Sequence, residues 1–162
     1  MLRKHIIPTQ PPAAGKTGKP DSKDIPSLAT VQVTSESADH PVDHLFDAQD
    51  GPGGTRWVAA GDGEQTLILA FDAPQTIREV SLETEEPHVS RTQEISLSLS
   101  RDGGGSYREV LRQEFTFSPS GTTFEREEWA VPADGVTHLR VVIKPDKGGA
   151  PCRATLTSLT IR

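Results

Sequence analysis

Apolar and polar residues alternate with a period of two along much of the chain, the pattern of a strand with one buried face. The clearest run is Thr92 to Leu111, TQEISLSLSRDGGGSYREVL, where Ile95, Leu97 and Leu99 alternate with Ser96, Ser98 and Ser100. Asp102, followed by Gly103, Gly104 and Gly105, supplies the positive-φ positions that a tight reversal needs. The chain then returns through Ser106 to Leu111 with Tyr107 and Val110 as apolar anchors. Their parity does not match, which predicts a bulge. A β-hairpin is expected here.

Upstream, Val31 and Val33 alternate with Gln32 and Thr34, a first strand. A long polar excursion follows, SESADHPVDHLFDAQDGPGGTRW, ending at Trp57. Gln65 to Asp72 is almost continuously apolar, as a strand covered on both sides would be. Ala73-Pro74 breaks it, and Thr76 to Thr84 starts the next strand. Beyond the loop EEPHVSR and the hairpin, extended pieces are expected at Phe115 and Phe117, Thr123 to Val131, Thr137 to Lys144 and Arg153 to Arg162. Helical spacing with caps is absent. About eight short strands separated by Gly, Pro and Asp turns predict an all-β antiparallel sandwich or barrel. There is no internal repeat.

Composition narrows the picture. A chain of 162 residues with 33% hydrophobic content suits one domain with a thin core. No run approaches the roughly 18 apolar residues of a membrane helix. The basic start lacks the apolar core of a secretory signal, because Pro8, Pro11 and Pro12 interrupt it. Cys152 is the only cysteine, which excludes an intrachain disulfide and is read as an inert thiol. A cytoplasmic setting is the expectation. Residues 1–30, rich in Pro, Lys, Gly and Thr, are read as a disordered basic tail, and residues 31–162 as the domain. The tail carries five basic and two acidic residues, the remainder twelve and twenty-one. An acidic body argues against phosphate-driven nucleic-acid binding.

The ordered set of short motifs resembles a family. Its carriers are Asp50-Gly51, Thr55, Trp57, Phe71-Asp72, Pro74, Thr76-Ile77, Glu94-Ile95, Ser100, Asp102-Gly103-Gly104, Tyr107 and Leu139-Arg140. Together they resemble the discoidin, or coagulation-factor 5/8 type C, domain over about residues 31–162. That resemblance implies a galactose-binding-like jelly-roll β-sandwich, used in bacterial relatives as a carbohydrate-binding module. A second likeness, RWVAAGDGEQTLILAFD, covers only Arg56 to Asp72. It is similar to the amino-terminal domain of a eukaryotic scaffold protein of single-strand-break repair.

Three constellations follow. By the resemblance, the turn from Asp50 to Trp57 would wrap a structural calcium ion, with Asp47, Asp50 and Thr55 as oxygen ligands. Against it, Ser158 stands about where the family has a Glu, and the chain contains no Asn. Next, the resemblance places His40, His44, Arg56, His88 and Arg91 on loops at one end of the sandwich. His and Arg suit contact with sugar hydroxyls, although no stacking aromatic is evident in those loops. His40, His44 and His88 with Asp39 and Asp43 also form a weak transition-metal set. Last, the acidic runs Glu83, Glu85, Glu86 and Glu125, Glu127, Glu128 read as solvated faces, and no nucleophile–base pair or phosphate loop is present.

The expected function is a monomeric, non-catalytic module binding a carbohydrate or other small polar ligand through loops 37–46, 50–56 and 85–91. The alternative is an intracellular protein-interaction scaffold. Ser100 to Tyr107 also has the S-x-D-x-G-x-x-Y pattern of the sialidase Asp-box. A propeller would need that box several times, so Asp102 is expected to cap its own turn.

Overall fold

The computed structural model describes residues 21–162. The elements are α1 (Ile25–Leu28), β1 (Ala29–Val33), a 3-10 helix (Val42–Phe46), β2 (Trp57–Val58), β3 (Gln65–Glu85), β4 (Arg91–Ser100), β5 (Arg108–Phe117), β6 (Phe124–Lys144), β7 (Thr155–Leu156) and β8 (Ser158–Ile161). All strand pairs are antiparallel. The result is an all-β antiparallel sandwich.

Two pairs of expected strands are each one long strand. Gln65 to Asp72 and Thr76 to Thr84 join as β3, and the stretches around Phe124 to Val131 and Thr137 to Lys144 join as β6. Ala73-Pro74 does not end β3, because it lies where the β3–β6 register slips between Ala70 and Glu79. A proline, lacking an N–H, is tolerated at such an irregularity. Pro132 and Gly135 occupy the matching level of β6, with Ala133 opposite Ile77 and Val136 opposite Gln75.

This bend distributes each long strand over both layers. Before it, β3 pairs with β1 and with the C-terminal half of β6, which in turn pairs with β4 and, through it, β5. Beyond it, β3 pairs with β8 and with the N-terminal half of β6. One core lies between, built from Leu67, Leu69, Ile95, Leu97, Leu139, Val141 and Ile143 of the first layer and Ile77, Val80, Leu82, Leu159 and Ile161 of the second. Each such aliphatic side chain contributes roughly 1.5–3 kcal/mol on burial.

The expected hairpin is formed by β4 and β5, with Gly103 and Gly104 at φ +75° and +87°. Its bulge is present as well. Leu97 faces Leu111 and Ser98 faces Glu109, so Val110 is the extra residue. The bulge turns Val110 outward to 39% exposure, and it is not the apolar anchor expected. The serines of β4 are buried too, because β5 and β6 flank the strand on both sides.

Residues 1–20 of the expected tail lie outside the described residues, but 21–30 belong to the fold. Ile25 is 2% exposed and packs in the core. The Lys23 amide donates to the Ile161 carbonyl at 2.7 Å, and Asp21 pairs with Arg78 and Arg162. An apolar residue followed by Pro26 inside a Lys-rich stretch carries too little periodicity to announce this. No helix among the described residues is long and apolar enough to cross a membrane.

Candidate functional site

The loops expected to carry a ligand meet at one end of the sandwich through a short series of bonds. The Val58 amide of β2 donates to the His40 carbonyl at 3.1 Å, and Trp57 anchors this crossing with its indole N–H on the Ser35 carbonyl. His44, on the 3-10 helix, places Nδ1 2.7 Å from the Arg56 carbonyl. That carbonyl accepts, so Nδ1 carries the proton and Nε2 is left as an acceptor when the ring is neutral. The His40 and His44 rings stand edge to face, centroids 6.5 Å apart. The structure therefore brings His40, His44 and Arg56 together, and the Arg56 guanidinium has no protein partner among the described residues.

The third loop joins through carboxylates. The Gly53 amide donates to Glu85 at 3.1 Å and the Gly51 amide, from a residue at φ +87°, to Glu83 Oε1 at 2.7 Å. His88 sits exposed in this loop, its amide bonded to the Glu86 carboxylate. Its ring contacts neither other histidine. Among the described residues no three His, Cys, Asp or Glu side chains form a metal-binding group.

Arg91 does not join His40, His44 and Arg56. Its side chain is 4% exposed and runs inward, pairing with Glu86 at 2.8 Å and donating to the carbonyls of Arg153 and Pro145 at 2.6 and 3.2 Å. Cys152 Sγ lies 3.5 Å from the same nitrogen. Burial of a planar guanidinium that needs several acceptors explains the inward course: the closing segment supplies carbonyls, and Glu86 supplies the charge. Arg91 fastens the 85–91 loop to the 145–153 segment, so of the five candidates His40, His44, Arg56 and His88 remain on the loops at this end.

The residues named for calcium do not fit the ion. Asp47 spends both carboxylate oxygens inside the loop, on the Thr55 hydroxyl at 2.5 Å and the Gln49 amide at 3.0 Å. Burial pushes the Asp50 carboxyl above its ordinary value, partly offset by the Arg126 charge and reinforced by Asp47. Ser158, standing where a Glu was expected, pairs across the sheet with Glu83. Glu83 is 3% exposed, and its oxygens go to Gly51 N–H and to Arg126 Nη1 at 3.3 Å. The loop is thus closed by N–H and guanidinium donors, where a hard cation would require converging oxygens.

Asp102 caps its own turn as expected. Its carboxylate accepts from the Ser100 hydroxyl and from the amide and hydroxyl of Ser106, at 2.7, 2.9 and 2.6 Å. Those bonds, led by the Ser106 hydroxyl, hold its carboxyl far below the usual range. Tyr107 packs behind the turn with Arg140 stacked 4.0 Å over its ring.

A concave feature away from these loops was not anticipated from sequence. On the open side of the sandwich, β5 and the N-terminal half of β6 leave a cleft of about 550 Å³, bordered by Tyr107 and Trp129. Trp129 faces the core side of β6 opposite Val80, which an alternation TFEREEWAV places correctly. That β5 and this half of β6 are both edges is a property of the topology, which no local pattern carries.

No family model matches the sequence, and no curated protein matches it either. Solved structures share the fold. The family 32 carbohydrate-binding module from Clostridium perfringens NanJ, in complex with galactose, superposes with a TM-score of 0.57 at 16% identity, covering 86% of this chain and 96% of that one. The C-terminal domain of a chitobiase from Bacteroides fragilis gives 0.62 at 15% identity, covering 88% and 97%. The module of AlyQ in complex with 4,5-unsaturated mannuronic acid gives 0.57 at 22% identity, covering 83% and 95%.

Proposed function

We propose that this chain is a non-catalytic binding module whose loop end takes a carbohydrate through His40, His44, Arg56 and His88. The observation that carries the reading is the His40–His44 pair. One ring is fixed in orientation by the Arg56 carbonyl, with its second nitrogen left for a ligand hydroxyl. Arg56, whose carbonyl holds that ring, carries a guanidinium with donors in a fork that matches vicinal oxygens. The reading is supported by the fold shared with modules solved with galactose and with an unsaturated mannuronic acid. A site of this kind orients a sugar and performs no bond chemistry on it.

A glycan array followed by calorimetry tests the reading. A binder should emerge whose affinity falls at least about tenfold in His44→Ala and in Arg56→Gln, the scale of losing one well-oriented polar contact. An array without a binder, or a binder indifferent to both substitutions, would overturn it.

One observation favours a second reading, a protein partner at the same end. Val89, beside His88, is 46% exposed. Val89 would be the apolar anchor of such a contact. Under that reading, partner capture is lost in Val89→Asp and kept in His44→Ala. The carbohydrate reading predicts the opposite ranking for glycans.

A further inference from the structure

We infer that the side cleft between β5 and the N-terminal half of β6 is a second binding site, and that it takes a saccharide bearing a carboxylate. The inference borrows from the proposed function only the ligand class; the location and the charge requirement come from the cleft itself.

The floor is apolar. Leu99, Leu111 and Val131 reach it from the two layers, and Trp129 closes one side. A sandwich ordinarily fills this space with side chains from both sheets. Here the bulge residue Val110 borders the opening and stays 39% exposed. What remains is a cleft within the size range of small-ligand sites.

The aromatic surfaces are held ready. Trp129 is only partly buried, and its indole N–H has no protein acceptor among the described residues. The other tryptophan, Trp57, is fully buried with its N–H on Ser35. Tyr107 is kept against the cleft by the Arg140 guanidinium over its ring. Aromatic faces beside a narrow opening suit the apolar side of a pyranose ring, which presents axial C–H groups to them.

Charge selects among sugars. Arg101 and Arg108 both border the cleft, and neither has a carboxylate partner among the described residues. This occurs in a chain with 23 acidic against 17 basic residues. The acidic residue at the same rim, Glu109, is already engaged by Arg112 at 2.8 Å. Two unpaired forked donors over an apolar, aromatic floor complement a ring that carries an anionic carboxylate, as a uronic acid does. A neutral sugar would leave both guanidinium groups without a counter-charge.

Titration with a galacturonic acid trimer, read by tryptophan emission and by calorimetry, tests this. Trp129 is the accessible one of the two tryptophans, so occupancy of the cleft should shift emission saturably, and a neutral galactose trimer should not. Arg101→Gln with Arg108→Gln, both at exposed positions, should weaken the trimer at least about tenfold while the melting temperature holds. The emission shift should persist in His44→Ala, which separates this site from the loop end. Trimer binding that is lost in His44→Ala but kept in the arginine double variant would overturn the cleft site and leave the loop-end reading standing. Absence of binding by either trimer to the wild-type chain would overturn the cleft proposal whatever the glycan array shows. An emission shift by a Glu-rich peptide without one by the trimer would overturn the saccharide assignment.

Discussion

The Gly51 amide donates to Oε1 of Glu83 at 2.7 Å, tying a loop glycine to a buried carboxylate that lies across the sheet from Ser158. This bond, backed by Arg126, holds the 47–55 loop through protein donors. Calcium and chelator should therefore give the same melting midpoint. Glu83→Ala should lower stability by roughly 1–3 kcal/mol, the cost of losing its charged hydrogen bonds to the partly buried Gly51 amide and to Arg126. Chemical denaturation checks the second value, and a calcium-dependent midpoint would contradict the first.

Arg91 should prove a stability residue. Arg91→Ala leaves Glu86 buried without its partner and two carbonyls without a donor. The expected loss is about 3 kcal/mol or more. Arg91→Lys should recover only part of it, since an ammonium cannot reproduce the fork. Urea unfolding of the two variants checks the ranking, and any glycan affinity measured on the folded fraction should be unchanged.

Asp102→Ala should lower the melting temperature and leave any affinity at the loop end of His40 and His44 untouched. Because the folded carboxyl titrates below the unfolded value near ~3.9, its contribution is fully present at neutral pH. It fades as pH falls from about 4 through the folded value. The melting gap between wild type and variant should accordingly narrow in acid.

Asp50 has the opposite sign. Burial raises its carboxyl above the unfolded value, so ionised Asp50 opposes folding at neutral pH. Asp50→Asn should raise the melting temperature at pH 7. The gain should vanish below about pH 3, where both states carry a proton. Scanning calorimetry across that range checks the prediction.

The legible part of this fold was its period-two texture. Ile95, Leu97 and Leu99, the hairpin bulge and the self-capped Asp102 turn follow from local chemistry that sits within a few residues. The continuity of β3 through Pro74 did not, because only a register slip against β6 makes a proline tolerable there. At the loop end, residue types named His40, His44 and Arg56, but type cannot distinguish an outward arginine from Arg91, whose acceptors lie 54 and 62 positions along the chain. The cleft was less legible still. Trp129 and Arg108 lie on strands that do not pair with each other, and nothing in either strand states that both are edges.

The bend shared by β3 and β6 bears on how the molecule comes apart. Neither layer is a self-contained piece of chain, since each long strand supplies hydrogen bonds to both. A layer cannot peel away while the other persists without breaking a strand at mid-length. Unfolding should therefore be a single cooperative event, with amides near Leu69 and those near Leu82 exchanging their hydrogens through the same global opening.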